Sequence, residues 1–268
     1  MSIWKERMQV FFQYKDLLFQ LVQRDVKLKY RRSFLGYVWS VLNPLLIMLV
    51  MTVVFSTMFQ RKITNYPVYL ITGRTLFEFY STSTKAAMRS ILGNGTLLKK
   101  TYVPKYIFPL AKVTSSLVDC FFSLGAMLIV IAFTHAKVSW YLLLSPIILV
   151  QIYIFSLGAG FFLSAINVFF RDMQHIYQAV ITAWMYATPL FYDLDSIKNT
   201  TVVFIIKAFN PLYYYVAGFV TWFIPEDFRD PGFSGAAGSS LFWLLASDSF
   251  ISRKYRISLF FISDGGTA

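Results

Sequence analysis

Cysteine is almost absent from this chain. Cys120 is the only one in 268 residues, so no intrachain disulfide and no cysteine-based metal cluster can form. It lies within an apolar run, where a small buried hydrophobe is its expected role. Histidine is nearly as scarce: His135 and His175 are the only two, and they fall at the ends of different apolar segments. That arrangement puts them at opposite membrane faces and argues against a shared metal site. No G-x-x-x-x-G-K-[ST], H-E-x-x-H, G-x-S-x-G or C-x-x-C pattern occurs, so neither a nucleotide-binding loop nor a familiar catalytic constellation is present. Charge is also sparse. Only 14% of residues are charged, against roughly a quarter in an ordinary soluble chain. Acidic residues are the rarer kind, 13 against 25 Lys and Arg, for a net charge of +12. This excess does not indicate nucleic acid. The cations sit at the ends of apolar segments, where the positive-inside bias and anionic lipid headgroups account for them. The N-terminal stretch is polar and basic and lacks the apolar core of a signal peptide, so the first span is expected to insert uncleaved.

What the chain has instead is apolar length. Hydrophobic residues make up 57% and aromatic residues 19%. The organising stretch opens with Arg24, Lys27, Lys29, Arg31 and Arg32, then runs uncharged through residues 35–59. As a helix that run is about 37 Å long, enough to cross a hydrocarbon core of ~30 Å with its basic end in the cytoplasm. Ahead of it, Trp4, Met8, Phe11, Phe12, Phe19, Val22 and Val26 recur at three- and four-residue spacings among Lys and Arg. Residues 1–34 therefore read as a cytoplasmic amphipathic helix, either a lipid-surface anchor or a gate at the inner mouth of a pathway.

Further spans follow at about 66–83, 113–134, 140–166 and 176–192. In the first span Asn43-Pro44 predicts a kink. The second carries Arg74 and Glu78 four residues apart on one helical face, as an internal pair or as lining of a pathway. Residues 85–112 read as a basic connector, with a turn at Gly93-Asn94-Gly95 and a short helix before Pro104. Ser156, Gly160 and Ser164 form a small-residue stripe in the fourth span, and a loop centred on Arg171-Asp172 follows it. Residues 193–232 fit either one more span or a re-entrant outer hairpin. Arg253, Lys254 and Arg256 favour the cytoplasm, which makes 233–252 the last span. The expectation is an all-α membrane protein of six transmembrane helices. It has short outer re-entrant helices before the last span, both termini inside, and one permease domain over 35–268. Trp184, Tyr186, Phe191, Tyr192 and Tyr213–Tyr215 gather toward the outer side, as an interfacial belt or as the wall of a glycan path.

Four segments, in order, carry a resemblance. They are Gln23-Arg24-Asp25-Val26-Lys27-Leu28-Lys29-Tyr30-Arg31-Arg32-Ser33-Phe34-Leu35-Gly36, continuing through Tyr37-Val38-Trp39-Ser40-Val41-Leu42-Asn43-Pro44-Leu45; Leu98-Lys99-Lys100-Thr101-Tyr102-Val103-Pro104-Lys105; Asn167-Val168-Phe169-Phe170-Arg171-Asp172-Met173-Gln174-His175; and Asn210-Pro211-Leu212-Tyr213-Tyr214-Tyr215. Over about residues 20–215 the chain resembles the permeases of type-2 ABC polysaccharide exporters, most of all those for O-antigen or rhamnose-containing wall glycans. The resemblance implies a homodimeric transport subunit of the cytoplasmic (inner) membrane rather than an enzyme. ATP and magnesium would be held by a separate ABC ATPase, with no cofactor on this chain. It further implies a gate helix with Trp4, Met8, Phe11 and Phe12, and ATPase-coupling residues Leu98, Lys99, Lys100, Tyr102, Pro104, Arg171 and Asp172. A lipid-linked glycan would pass along Arg74, Glu78, Trp184, Tyr186, Tyr213, Tyr214 and Tyr215, with membrane lipids as the other contact. Family members often carry a Trp after the glycine at position 73, where this chain has Arg74. After Tyr215 the resemblance fades into a short, small-residue-rich span.

Two other readings compete. One is a permease of the same type for a drug or lipid. The other is a membrane-embedded glycosyltransferase or ligase using the outer carboxylates Asp193, Asp195, Glu226, Asp227 and Asp230.

Overall fold

The computed structural model describes residues 12–31, 35–58, 65–136, 145–192 and 199–223, with backbone alone at 30, 56–58 and 221–223. Most of these residues are helical and none is in a strand, the helices running in the order α1 (Lys15–Tyr30), α2 (Val38–Met58), α3 (Tyr66–Gly93), α4 (Gly95–Lys100), α5 (Ile107–Thr134), α6 (Ser145–Phe169), α7 (Met173–Ala187), α8 (Thr200–Phe209) and α9 (Pro211–Phe223). Among the described residues, α2, α5 and α6 are long and apolar enough to cross a membrane. The α8–α9 pair meets the same measure together but is bent by 93° at its break. The last predicted span, 233–252, lies outside the described residues.

The centre of the fold is α3. It packs most extensively on α5 and α6, and also touches α2, α7 and α9. Val68, Leu70, Ile71, Leu76 and Met88 on it are almost wholly buried. Sequence reading ended this helix at about residue 83. It runs ten residues further, to Gly93, because no proline interrupts residues 68–93 and its buried face continues to Ile91, while its hydroxyls are satisfied within the helix. Thr72, Thr75, Thr84 and Ser90 each donate to a carbonyl three or four residues back in their own helix. Lys85 and Arg89 thus belong to α3 rather than to a connector, which shrinks to 94–106.

Other boundaries shift for comparable reasons. Helix α5 begins at Ile107, not 113, with Pro109 in its first turn, where a missing N–H costs nothing. Helix α6 is Ser145–Phe169 against an expected 140–166. Helix α7 stops at Ala187, where Thr188 turns extended before Pro189. Its 15 residues give about 22 Å, short of the hydrocarbon thickness expected for a span over 176–192. Helix α2 runs continuously past Pro44, and no residue of Val38–Phe55 is buried. Only Val41, Leu45, Met48, Met51 and Phe55 lean on the core.

Close packing between α3 and α6 depends on Gly160. A β-carbon there would lie 2.9 Å from Ala87 Cβ and 3.4 Å from Val113 Cγ2. Ser156 and Ser164 beside it are fully buried, so the small-residue stripe is the contact surface of α6.

Candidate functional site

One face of α3 stays open. Arg74, Glu78, Thr82, Lys85 and Arg89 recur at three- and four-residue spacings, and they are half-buried or exposed while the rest of the helix between them is largely buried. Arg74 Nη2 stands 3.9 Å from Glu78 Oε2, so the predicted pair exists, with its carboxylate side well exposed. At membrane depth a face of this kind meets protein or water, not lipid tails.

A second assembly surrounds Asn210, at the bend between α8 and α9. Its Oδ1 accepts a hydrogen bond from Trp184 Nε1 at 2.7 Å and from the Tyr213 backbone N–H at 3.3 Å. Its Nδ2 donates to Thr188 Oγ1 at 2.9 Å. Tyr69 on α3 completes the knot by donating to the Pro189 carbonyl at 2.6 Å, and Tyr66 reaches the Phe191 carbonyl at 3.0 Å. The end of α7, the start of α3 and the bent pair are therefore one hydrogen-bonded unit. Of the aromatic residues predicted to line a path, Tyr213 and Tyr215 are buried in this unit, and Tyr215 lies against Phe155. Tyr214 and Trp184 are half-buried, and Tyr186 is 62% exposed. The structure brings Trp184 to Tyr213 through Asn210, while Arg74 and Glu78 stand apart on the α3 face. Nothing local in the sequence marks Asn210 except its place before Pro211, which is the signal for a cap and a bend.

The third assembly is at the opposite end. Leu21 on α1 is buried against Val103, Ile107, Phe108 and Ala111, with Leu17, Leu18, Val22, Leu97 and Leu98 packed around them. Helix α1 thus lies on protein along one side and presents Phe19 on another. Polar contacts run along the same seam. Lys112 pairs with Asp25 at 2.9 Å, Lys29 with Asp119 at 2.9 Å, and Arg24 Nη2 reaches Asn94 Oδ1 at 3.4 Å. Tyr14 donates to the Tyr102 carbonyl at 3.3 Å. Burial, and then the neighbouring Tyr14, push the Tyr106 phenol upward from its ordinary value. Of the predicted coupling residues, Leu98 is in the cluster, Lys99 and Lys100 are exposed on α4, and Pro104 is half-buried. The Tyr102 side chain is 83% exposed. Arg171 and Asp172 are exposed in the turn before α7. Trp4, Met8 and Phe11 lie outside the described residues, as do Asp193 and Asp195. No group of three His, Cys, Asp or Glu side chains suited to a metal occurs among the described residues.

A family model described as the ABC-2 type transporter matches residues 16–224, which takes in all three assemblies. The chain belongs to this family. As an ABC-2 type protein it is a multi-pass membrane transport subunit and not an enzyme. It is similar to the O-antigen export system permease protein RfbA of Myxococcus xanthus, 33% identical over 245 residues, covering 91% of this chain and 94% of that protein. Two proteins of the same name from Klebsiella pneumoniae are 32% and 31% identical over 200 and 202 residues, each covering 74% of this chain and 76% of the relative. All three of these relatives carry the name of an O-antigen export system permease protein.

Proposed function

We propose that this chain is the permease of an ATP-driven exporter that moves a lipid-linked polysaccharide, of O-antigen or rhamnose-rich wall type, across the cytoplasmic membrane. The observation that carries this reading is the open polar face of α3. Among the described residues nothing covers Glu78 and Thr82, which stand beside apolar spans, and hydrocarbon is a poor neighbour for them. A second copy would enclose the face and make it the wall of an aqueous path, which is why the working unit is a homodimer. The mixed-charge, polar character of this wall suits a hydrated glycan better than an apolar drug, and the shared name of the three relatives supports the same cargo.

Six spans then follow with both termini in the cytoplasm: α2, α3, α5, α6, α7 with the turn after it, and residues 233–252. Helix α1 is the gate at the inner mouth. Lys99 and Lys100 on α4, with Tyr102, Pro104 and the Arg171-Asp172 turn, meet a separate ABC ATPase that binds the nucleotide and its magnesium. The bent α8–α9 pair closes the outer side, with Trp184, Tyr186 and Tyr214 as the aromatic surface nearest the exit.

The test is co-purification with a tagged ATPase encoded beside the gene, followed by hydrolysis assays with and without lipid-linked glycan. A stable complex with glycan-stimulated hydrolysis is expected. Failure to recover any nucleotide-hydrolysing partner would overturn the exporter reading.

A further inference from the structure

The polar face of α3 is not uniform along its length. Arg74 and Glu78 neutralise one another near one end. Lys85 and Arg89 stand one turn apart at the other, and among the described residues neither makes an ion pair. Among the described carboxylates that make ion pairs, Asp25 faces Lys112 and Arg24, Asp119 faces Lys29, and Glu78, two turns from Lys85 on the same face, is turned to Arg74. Two cations at this spacing repel each other, and the half-buried position of Lys85 makes its charge costlier still. Both penalties fall away if an anion bridges them. An ammonium and a guanidinium one turn apart match a group that offers several oxygens and more than one negative charge, which is the description of a phosphate or diphosphate rather than a single carboxylate.

Position narrows the choice of anion. Arg89 lies one turn before the Gly93 end of α3, where α4 begins, so the pair stands beside the segment assigned to ATPase contact. Farther along, Glu78 is about 10 Å up the helix axis from Lys85 and bears the opposite charge.

We propose that Lys85 and Arg89 form an anion-binding step that takes the phosphate-type link of a lipid-borne glycan while the sugar chain lies along Thr82, Glu78 and Arg74. This rests on the export reading above. The step sorts the cargo by its link, a doubly charged group, independently of which sugars follow. It is also distinct from the apolar cluster that holds α1.

The test uses the full permease–ATPase complex in phosphatidylcholine nanodiscs. Hydrolysis is titrated with a lipid-diphosphate-linked glycan and with the same glycan on a neutral lipid. For the charge-removing pair K85Q/R89Q, the half-stimulating concentration of the diphosphate form should rise about tenfold or more. The charge-keeping pair K85R/R89K should stay within about threefold of wild type. Lys207→Gln, which removes a cation on α8, should change nothing. The neutral glycolipid should not distinguish wild type from K85Q/R89Q. An unchanged titration for K85Q/R89Q overturns the proposal, and so does equal impairment of K85R/R89K, which would report packing damage instead of lost charge. If phosphatidylglycerol without glycan reproduces the stimulation and erases the variant difference, the pair serves bilayer headgroups and the proposal falls. A wild-type complex unresponsive to either glycan removes the export reading itself, a result separable from a response that K85Q/R89Q leaves intact.

Discussion

Lys112 Nζ lies 2.9 Å from Asp25 Oδ2, joining α1 to the first turns of α5 at a point where Asp25 is nearly buried and Lys112 is half-buried. Arg24 approaches the same carboxylate at 3.2 Å and also reaches Asn94, next to α4. Three helices of different predicted roles therefore share one charged junction. Arg24 and the apolar cluster that holds Leu17, Leu21 and Leu97 tie α1 to the segment around α4.

Removing the junction should loosen α1. Asp25→Ala leaves Lys112 and Arg24 facing each other, and the expected loss is about 1–2 kcal/mol, between the values for exposed and fully buried pairs. Hydrogen exchange over residues 15–30 should accelerate, and the swapped pair D25K/K112D should restore part of the protection. Protection unchanged in Asp25→Ala would show that apolar packing alone holds the helix.

Charge reversal on α4 addresses the ATPase contact. Lys99 and Lys100 are exposed and make no ion pair among the described residues, so Lys99→Glu with Lys100→Glu should leave the permease folded. Glycan-stimulated hydrolysis should fall by about threefold or more, with weaker recovery of the ATPase at raised salt. Coupling equal to wild type would remove these residues from the contact.

Asn210 should be among the least replaceable residues of the chain. Asn210→Ala orphans the Trp184 N–H and removes the donor to Thr188 Oγ1, which keeps its own bond to the Trp184 carbonyl, at an expected cost of about 1–3 kcal/mol. Trp184→Phe removes one partner of the same bond, so the two losses should be strongly non-additive in thermal unfolding of the purified protein. Additive losses would mean that the residues act separately.

At Gly160 the expected effect is steric. Gly160→Ala places a methyl 2.9 Å from Ala87 Cβ, a contact that a rigid side chain cannot relieve, and should cost about 1–3 kcal/mol. Ala87→Gly in the same chain should return part of it. A Gly160→Ala protein with unaltered unfolding temperature would show that α3 and α6 separate at little cost.

The apolar helices were legible from the sequence because long uncharged runs have few other fates; α2, α5 and α6 lie within a few residues of expectation. Helix α3 was harder, since Lys85 and Arg89 look like the flank of a span when read as composition and become one face of a helix only once Tyr80, Thr84 and Met88 are seen buried opposite them. The aromatic cluster misled in a related way. Aromatic type alone does not separate Tyr186, open to the surroundings, from Tyr215, packed on Phe155. The contact of α1 with α5 was invisible because its partners are about 90 residues apart, and nothing local in either segment announces the other.

The mixed character of α3 bears on how the chain is made. With Arg74, Glu78, Lys85 and Arg89 on one side, this helix partitions poorly into lipid as an isolated segment. Yet it is the helix on which α5, α6, α7 and α9 all pack. As the span proposed above, it would gain a stable place in the bilayer only once those later segments are present, so that the most central helix would be the last to become secure. Expression of the protein should respond more steeply to changes in α5 and α6 than to changes in α3 of the same hydropathy.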